Sequence, residues 1–246
     1  PRDWSSDVCS SDLKFMENKR RKQYENIECV PTAYANGVAP GFPFTDKEKE
    51  LMDEEAPIAF GQFLDALKVD WRNDPNSMET PRRVAKAYVY DLFKGRYNNF
   101  TDITSFPSDG YDGVIIERNV PITSMCSHHH QTIKGVVHIG YVSGAEGRVI
   151  GLSKLNRIAE HFSRRGAIQE QLTVAIHQAV TKVCEGNLGV IVTVVATHNC
   201  VSCRGIKHQG AAMVTTKASG VFMENDNLAR KEFFDSLKIN NGHVSI

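Results

Sequence analysis

Cys126 and His129 stand two residues apart inside Ser124-Met125-Cys126-Ser127-His128-His129-His130. A thiol and an imidazole so spaced can close on one soft metal ion, and a third ligand from a distant segment would complete three protein ligands. That is the ligand count of a catalytic zinc centre, with one position left for water. The distant segment is Thr197-His198-Asn199-Cys200-Val201-Ser202-Cys203-Arg204, which offers Cys200. His128 and His198 stand beside these ligands and are candidates to move protons around the metal's water. One alternative stays open: Cys200 and Cys203 have knuckle spacing, so Cys126, His129, Cys200 and Cys203 could form a closed structural Cys3His site without catalysis. His130 could also compete for the ion.

Gly151-Leu152-Ser153-Lys154-Leu155-Asn156-Arg157 opens a helix. Ser153 shares a face with Arg157, as does Lys154, near the positive end of the helix dipole, which suits a polyphosphate. The plain alternative is an N-cap serine followed by solvated charges. Gln169 and Glu170 begin the next helix. A carboxylate there either compensates the dipole or reads a base by accepting from a guanine N1–H and exocyclic amine. Arg204 is a phosphate fork or a surface arginine. His138 lies in a strand of alternating apolar character and reads as structural; His161, His177, His208 and His243 carry no assigned role.

These residues sit in a chain of 246, 41% hydrophobic and 9% aromatic, enough to bury a sizeable core. Lys plus Arg equals Asp plus Glu at 29 each, so no global charge argues for nucleic acid or an anionic membrane, and any phosphate binding is local. No apolar run approaches the roughly 20 residues of a membrane span. No secretory leader is evident, and the expected location is cytoplasmic. There, six cysteines, partly clustered, favour metal over disulfides.

The elements that must position the site follow from periodicity. Residues 1–13 resemble translated adapter sequence and are set aside as a non-native leader; 14–44, basic and then rich in Pro and Gly, read as a mobile arm. Residues 45–104 read as a helical region: Thr45 caps one helix, or two broken near Pro57, and a second starts at Thr80-Pro81 and stops at Gly95. Residues 105–246 carry strands over 114–122 and 135–142, flanking the cysteine-histidine cluster. Helices then run over 153–164 and 167–185, with strands over 190–196 and 211–216 and a closing helix over 226–237. Two strands, two helices and two strands make an α+β plan with helices on one sheet face.

Taken as a set, the motifs resemble those of GTP cyclohydrolase I. That family's Cys-Glu-His-His stands here as Cys126-Ser127-His128-His129, its Gly-x-x-His-Ile-Gly-Tyr strand as Gly135 to Tyr141, and its Gly-Leu-Ser-Lys-x-x-Arg as Gly151 to Arg157. Its Gln-Glu-x-Leu-Thr is Gln169 to Thr173, and its His-x-Cys with Arg-Gly is His198 to Gly205. The match runs from about Thr80 to Leu237. The resemblance implies a tunnelling fold, a four-stranded antiparallel sheet with two helices on one face, in a homo-oligomeric, decameric ring with active sites shared between subunits. It implies that GTP and water give formate and 7,8-dihydroneopterin triphosphate, through attack of a zinc-activated water on C8.

By the same resemblance Cys126, His129 and Cys200 hold Zn2+, and His128, His198 and Ser153 serve catalysis. Gln169 and Glu170 would hold the base, Lys154, Arg157, Arg204 and Arg83 the triphosphate, and Leu152 would join the substrate-binding residues. Departures are Ser127 in place of the family's glutamate, the absence of a Pro-Phe pair after the histidines, and Ala167 where glutamine is common. None is a proposed zinc ligand. A non-catalytic zinc-stabilised ring or purine-binding module on the same fold is the alternative function. A nitrile reductase of that fold would need a nucleophilic cysteine and a nicotinamide motif, and neither is found.

Overall fold

The computed structural model describes residues 45–98, 100, 103–223 and 228–238, all within the unit spanning 33–246. The expected leader at 1–13 and the arm at 14–44 therefore fall outside the described residues. Helices α1 (Asp46–Ala66) and α2 (Thr80–Ala87), a π-helical turn at Tyr88–Leu92 and α3 (Lys94–Tyr97) come first. Strands β1 (Ser105–Pro107), β2 (Val114–Met125), β3 (Thr132–Ser143) and β4 (Arg148–Ile150) follow. Then come α4 (Leu152–Ser163), α5 (Gln169–Val183), β5 (Asn187–His198), the short α6 (Asn199–Ser202), β6 (Ala212–Ala218) and α7 (Leu228–Lys238).

Thr45 closes a capping box on α1: its hydroxyl accepts from the Glu48 N–H at 3.2 Å, and its own N–H donates to the Glu48 carboxylate at 2.6 Å. Pro57 does not break the helix; α1 runs through it unbroken, losing one internal hydrogen bond. The second helix does not run on to a stop at Gly95. It passes into the π-helical turn, and Gly95 lies within α3. A Cβ at Gly95 would lie 2.0 Å from the His161 carbonyl oxygen, and its N–H bonds Arg164 O at 3.0 Å. This glycine marks a close approach of two backbones, which is why sequence alone reads it as a terminator.

β2, β3, β5 and β6 form one antiparallel sheet in that order, and β1 pairs with β4 in a small second sheet that the periodicity does not announce. Alternation sorts the core. Val137, Ile139 and Tyr141 of β3, with Val190, Val192 and Val194 of β5, share a cluster with Leu155 and Ile158 of α4 and Leu172, Ile176 and Val180 of α5. The intervening residues Val142 and Ile191 meet Phe233 of α7 and Phe222 on the opposite face. Gly140 makes room there, since a Cβ on it would come within 2.6 Å of the Phe233 ring. The closing helix thus covers the face opposite α4 and α5, and burying the Phe233 ring contributes roughly 1.5–3 kcal/mol.

Two register facts place the site. Met125 pairs with Thr132, so β2 and β3 form a hairpin whose connection carries residues 126–131. Ile133 pairs with His198, so the end of β5 lies beside the start of β3. Residues some seventy positions apart in sequence therefore meet at one end of the sheet. Further along, the β2–β3 register shifts between Glu117 and Val120, where Asn119 takes φ 59°. The Asn119 N–H donates to His138 Nδ1 at 3.3 Å, and burial pushes the His138 imidazole below its usual range, a structural histidine as its strand context suggested.

Candidate metal and catalytic site

The β2–β3 connection is tied at both ends. Cys126 N–H bonds Gln131 O at 2.8 Å, His130 N–H bonds Cys126 O at 2.9 Å, and Ala167 N–H reaches across to Met125 O at 3.0 Å. His130 takes φ 49°, and its ring packs on Tyr88 at 5.8 Å and against Phe93 at 5.9 Å. Its imidazole is thus engaged with the helical region while His129, one residue earlier, turns to the cysteines.

One ligand atom each from Cys126, His129 and Cys200 lie within 4.8 Å of one another. Zinc at about 2.3 Å from sulfur and about 2.1 Å from nitrogen spaces tetrahedral ligands about 3.5–3.8 Å apart, so the group needs a closure of at most roughly an ångström. The donor set fits: two thiols and an imidazole, from a buried, a half-buried and an exposed residue. Burial first, and then the neighbouring Cys126 thiol, hold the Cys200 thiol above its usual range, while the Arg204 charge opposes. A divalent cation between the two sulfurs would relieve that penalty. Among the described residues, neither Cys203 nor His130 joins the group; Cys203 is exposed.

His198, the last residue of β5, stands two residues before Cys200. Its Nε2 meets Gln169 Oε1 at 2.8 Å. Burial pushes the His198 imidazole down, and the Glu170 carboxylate pulls it back up. Gln169, assigned to the base by the resemblance, is 1% exposed, and its amide nitrogen bonds Val194 O at 3.1 Å, Met213 O at 3.0 Å and Thr215 Oγ1 at 3.1 Å. Both ends of this carboxamide thus have partners inside the chain. Glu170 is exposed at the same helix start.

Gly151, not Ser153, is the N-cap of α4, so the Ser153 hydroxyl is not consumed in capping. Ser153 and Arg157 are exposed, Lys154 is half-buried, and Leu152 presents an apolar side chain 66% exposed. His128 is exposed, its ring edge-on to His129 at 6.2 Å. Arg204 and Arg83 are exposed, the latter on α2. Among the described residues, no hydrogen bond or ion pair joins Ser153, Lys154, Arg157, Arg204 or Arg83 to the Cys126 group. The structure brings together the three ligand residues and the pair His198–Gln169. Sequence reading misses that pair and the seating of His130 on Tyr88 and Phe93, because neither has a spacing signal.

The family described as GTP cyclohydrolase I matches residues 58–238. The protein named GTP cyclohydrolase 1 from Corynebacterium glutamicum (strain ATCC 13032) is 36% identical over 191 residues, 77% of this chain and 95% of its own. Its namesake from Aeromonas salmonicida (strain A449) is 38% identical over 178 residues, 72% of this chain and 79% of its own. The one from Pelagibacter ubique (strain HTCC1062) is 36% identical over 184 residues, 72% and 87% of the two chains.

Proposed function

The chain belongs to the GTP cyclohydrolase I family, and from that premise we propose that it hydrolyses the imidazole ring of GTP. The net change is GTP plus water to formate and 7,8-dihydroneopterin triphosphate, C8 of the base leaving as formate. The observation that carries this reading is the cluster of Cys126, His129 and Cys200 within 4.8 Å, with His198 two residues from the last ligand. These three side chains would hold zinc, which when bound supplies Lewis acidity and eases the loss of a proton from water near neutral pH.

The remaining steps fall to the chain's own groups. His198, held in a fixed orientation, and His128, free on the exposed side of the turn, take up and return protons as ring nitrogens become amines and as the ribose rearranges. The uncommitted Ser153 hydroxyl assists that rearrangement. Glu170 accepts from the guanine N1–H and exocyclic amine, a pair of donors that adenine lacks, and Leu152 offers apolar surface to the base. Lys154 and Arg157 at the positive end of α4, with Arg204 and Arg83, bind the triphosphate.

Assembly follows from the sheet. β2 and β6 are its edges, each with one side unpaired among the described residues, and pairing β2 of one copy with β6 of the next closes a cyclic ring of the tunnelling-fold kind, a decamer if two such rings stack. No helix among the described residues is long and apolar enough to cross a membrane. Free thiols at Cys126, Cys184, Cys200 and Cys203 suit a reducing, cytoplasmic setting. The test is direct. Zinc-loaded protein incubated with GTP should release formate and, after oxidation, a fluorescent pterin; zinc-loaded protein that binds GTP yet releases neither overturns the reading.

A further inference from the structure

The Gln169 side chain has a hydrogen-bonding pattern that leaves one solution. Val194 O and Met213 O are backbone carbonyls, which only accept, and both lie within 3.1 Å of one end of the carboxamide. That end must therefore be the NH2 group, and the carboxamide oxygen must face His198. The threonines agree. Thr173 Oγ1 donates its single hydrogen to Gln169 O at 2.8 Å, so Thr215 must donate to Thr173 across their 2.6 Å contact. The Thr215 oxygen is then left to accept from the Gln169 amide at 3.1 Å. The two amide hydrogens thus face three acceptors, Val194 O, Met213 O and Thr215 Oγ1, and none of the three needs the carboxamide oxygen in its place. Reversing the carboxamide would set its oxygen against two carbonyl oxygens in a site from which water is excluded, leaving buried acceptors without a donor.

With the oxygen fixed toward His198, the ring nitrogen 2.8 Å away must donate. We propose that Gln169 is a positioning residue that holds the neutral His198 imidazole as its Nε2–H tautomer, leaving Nδ1 as the nitrogen that accepts a proton during the reaction. Gln169 acts through His198 and does not touch the base. Guanine reading then falls to its exposed neighbour Glu170 alone. The circuit spans β5, β6 and α5, so the orientation of the imidazole is set by the sheet itself rather than by the metal turn. The inference rests on the reading of this site as a GTP ring-opening centre, though the tautomer itself does not.

Steady-state kinetics and zinc content are to be compared for the wild-type protein, Gln169→Leu, His198→Ala and the double variant, all zinc-loaded. Gln169→Leu should keep its zinc and its KM for GTP within about twofold while kcat falls about 10–100-fold, the range set by lost partners of site imidazoles. In the His198→Ala background the same change should slow residual formate release by less than about twofold, because its only target is gone. A raised KM with kcat unchanged, or a full further loss in the double variant, overturns the proposal. Wild-type protein that releases no formate overturns the functional reading instead. Should Gln169→Leu not fold, solid-state 15N NMR of the histidine-labelled wild-type protein at about pH 8 decides, the His198 signal being the one missing in His198→Ala. A proton on Nε2 and none on Nδ1 is expected, and a proton on Nδ1 overturns the assignment.

Discussion

The residues of the candidate site would do separate jobs, and the jobs predict different losses. Cys200 is one of two sulfurs in a three-ligand set and comes from the far end of the chain, so Cys200→Ala should lose the metal itself, measured as zinc per chain after dialysis. Retention of a full equivalent would show that another group, Cys203 foremost, is a ligand. His198 lies outside the ligand group, so His198→Ala should keep zinc and lose turnover by at least about 100-fold, the usual share of a positioned acid-base group. Near-normal turnover would remove it from the proton path. Glu170 is exposed and makes no ion pair among the described residues, so its carboxylate is available to a ligand. Glu170→Ala should raise the KM for GTP about 10–100-fold with a smaller change in kcat, since charged hydrogen bonds contribute about 1.5–3 kcal/mol.

At the scale of elements, the helical region and the sheet meet where α3 crosses α4. Gly95 has no room for a methyl group, because the His161 carbonyl oxygen occupies the place. Gly95→Ala should therefore destabilise by about 1–3 kcal/mol, a drop of several degrees in Tm, without altering zinc affinity. His161 itself sets a pH dependence. Its ring packs on Phe100 at 4.9 Å and Phe162 at 5.0 Å, and burial, helped by the Arg165 charge, pushes it down from 6.5 to about 4. Between those values the unfolded chain binds a proton that the folded chain refuses, so stability should climb from about pH 4 to about pH 6.5 and flatten above. His161→Phe should reduce the difference in Tm between about pH 5 and pH 7.5. An unchanged difference would locate the acid sensitivity elsewhere, with His138 and His177, also pushed down by burial, the other imidazoles to weigh.

The same elements mark what the sequence makes legible. The alternation of β3 and the helical stripe of α5 are written in residue order, because each is a local period imposed by one buried face. The three metal ligands are legible too, since Cys126 and His129 share a turn and Cys200 follows a strand. What the sequence does not disclose is set by contact between distant parts. Gly95 reads as a terminator until His161 is seen behind it. Pro57 reads as a break until the helix is seen to continue. The carbonyls and threonine around the Gln169 amide, and the face that α7 covers where Gly140 admits Phe233, have no local period to announce them.

For the whole molecule the decisive feature is the sheet's two ends. β2 runs for 12 residues and β6 for 7, and each offers an unpaired row of backbone donors and acceptors to whatever lies beside it. β2 carries Pro121 in mid-strand and a bulge after Glu117, devices that discourage indiscriminate pairing and permit one matched partner. β6 carries Val214, 62% exposed, with no such protection. In the ring proposed above, different edges at opposite ends of one sheet would join head to tail, the strand-to-strand twist bending successive copies toward closure. If the proposed ring shares its sites between copies, as the family resemblance implies, activity should depend on assembly. Val214→Lys places a charge on that edge and should shift the mass measured by light scattering toward smaller species. Formate release should fall in step with the lost assembly while zinc per chain is retained. A fully active single chain would place every necessary group within one copy and exclude a shared site.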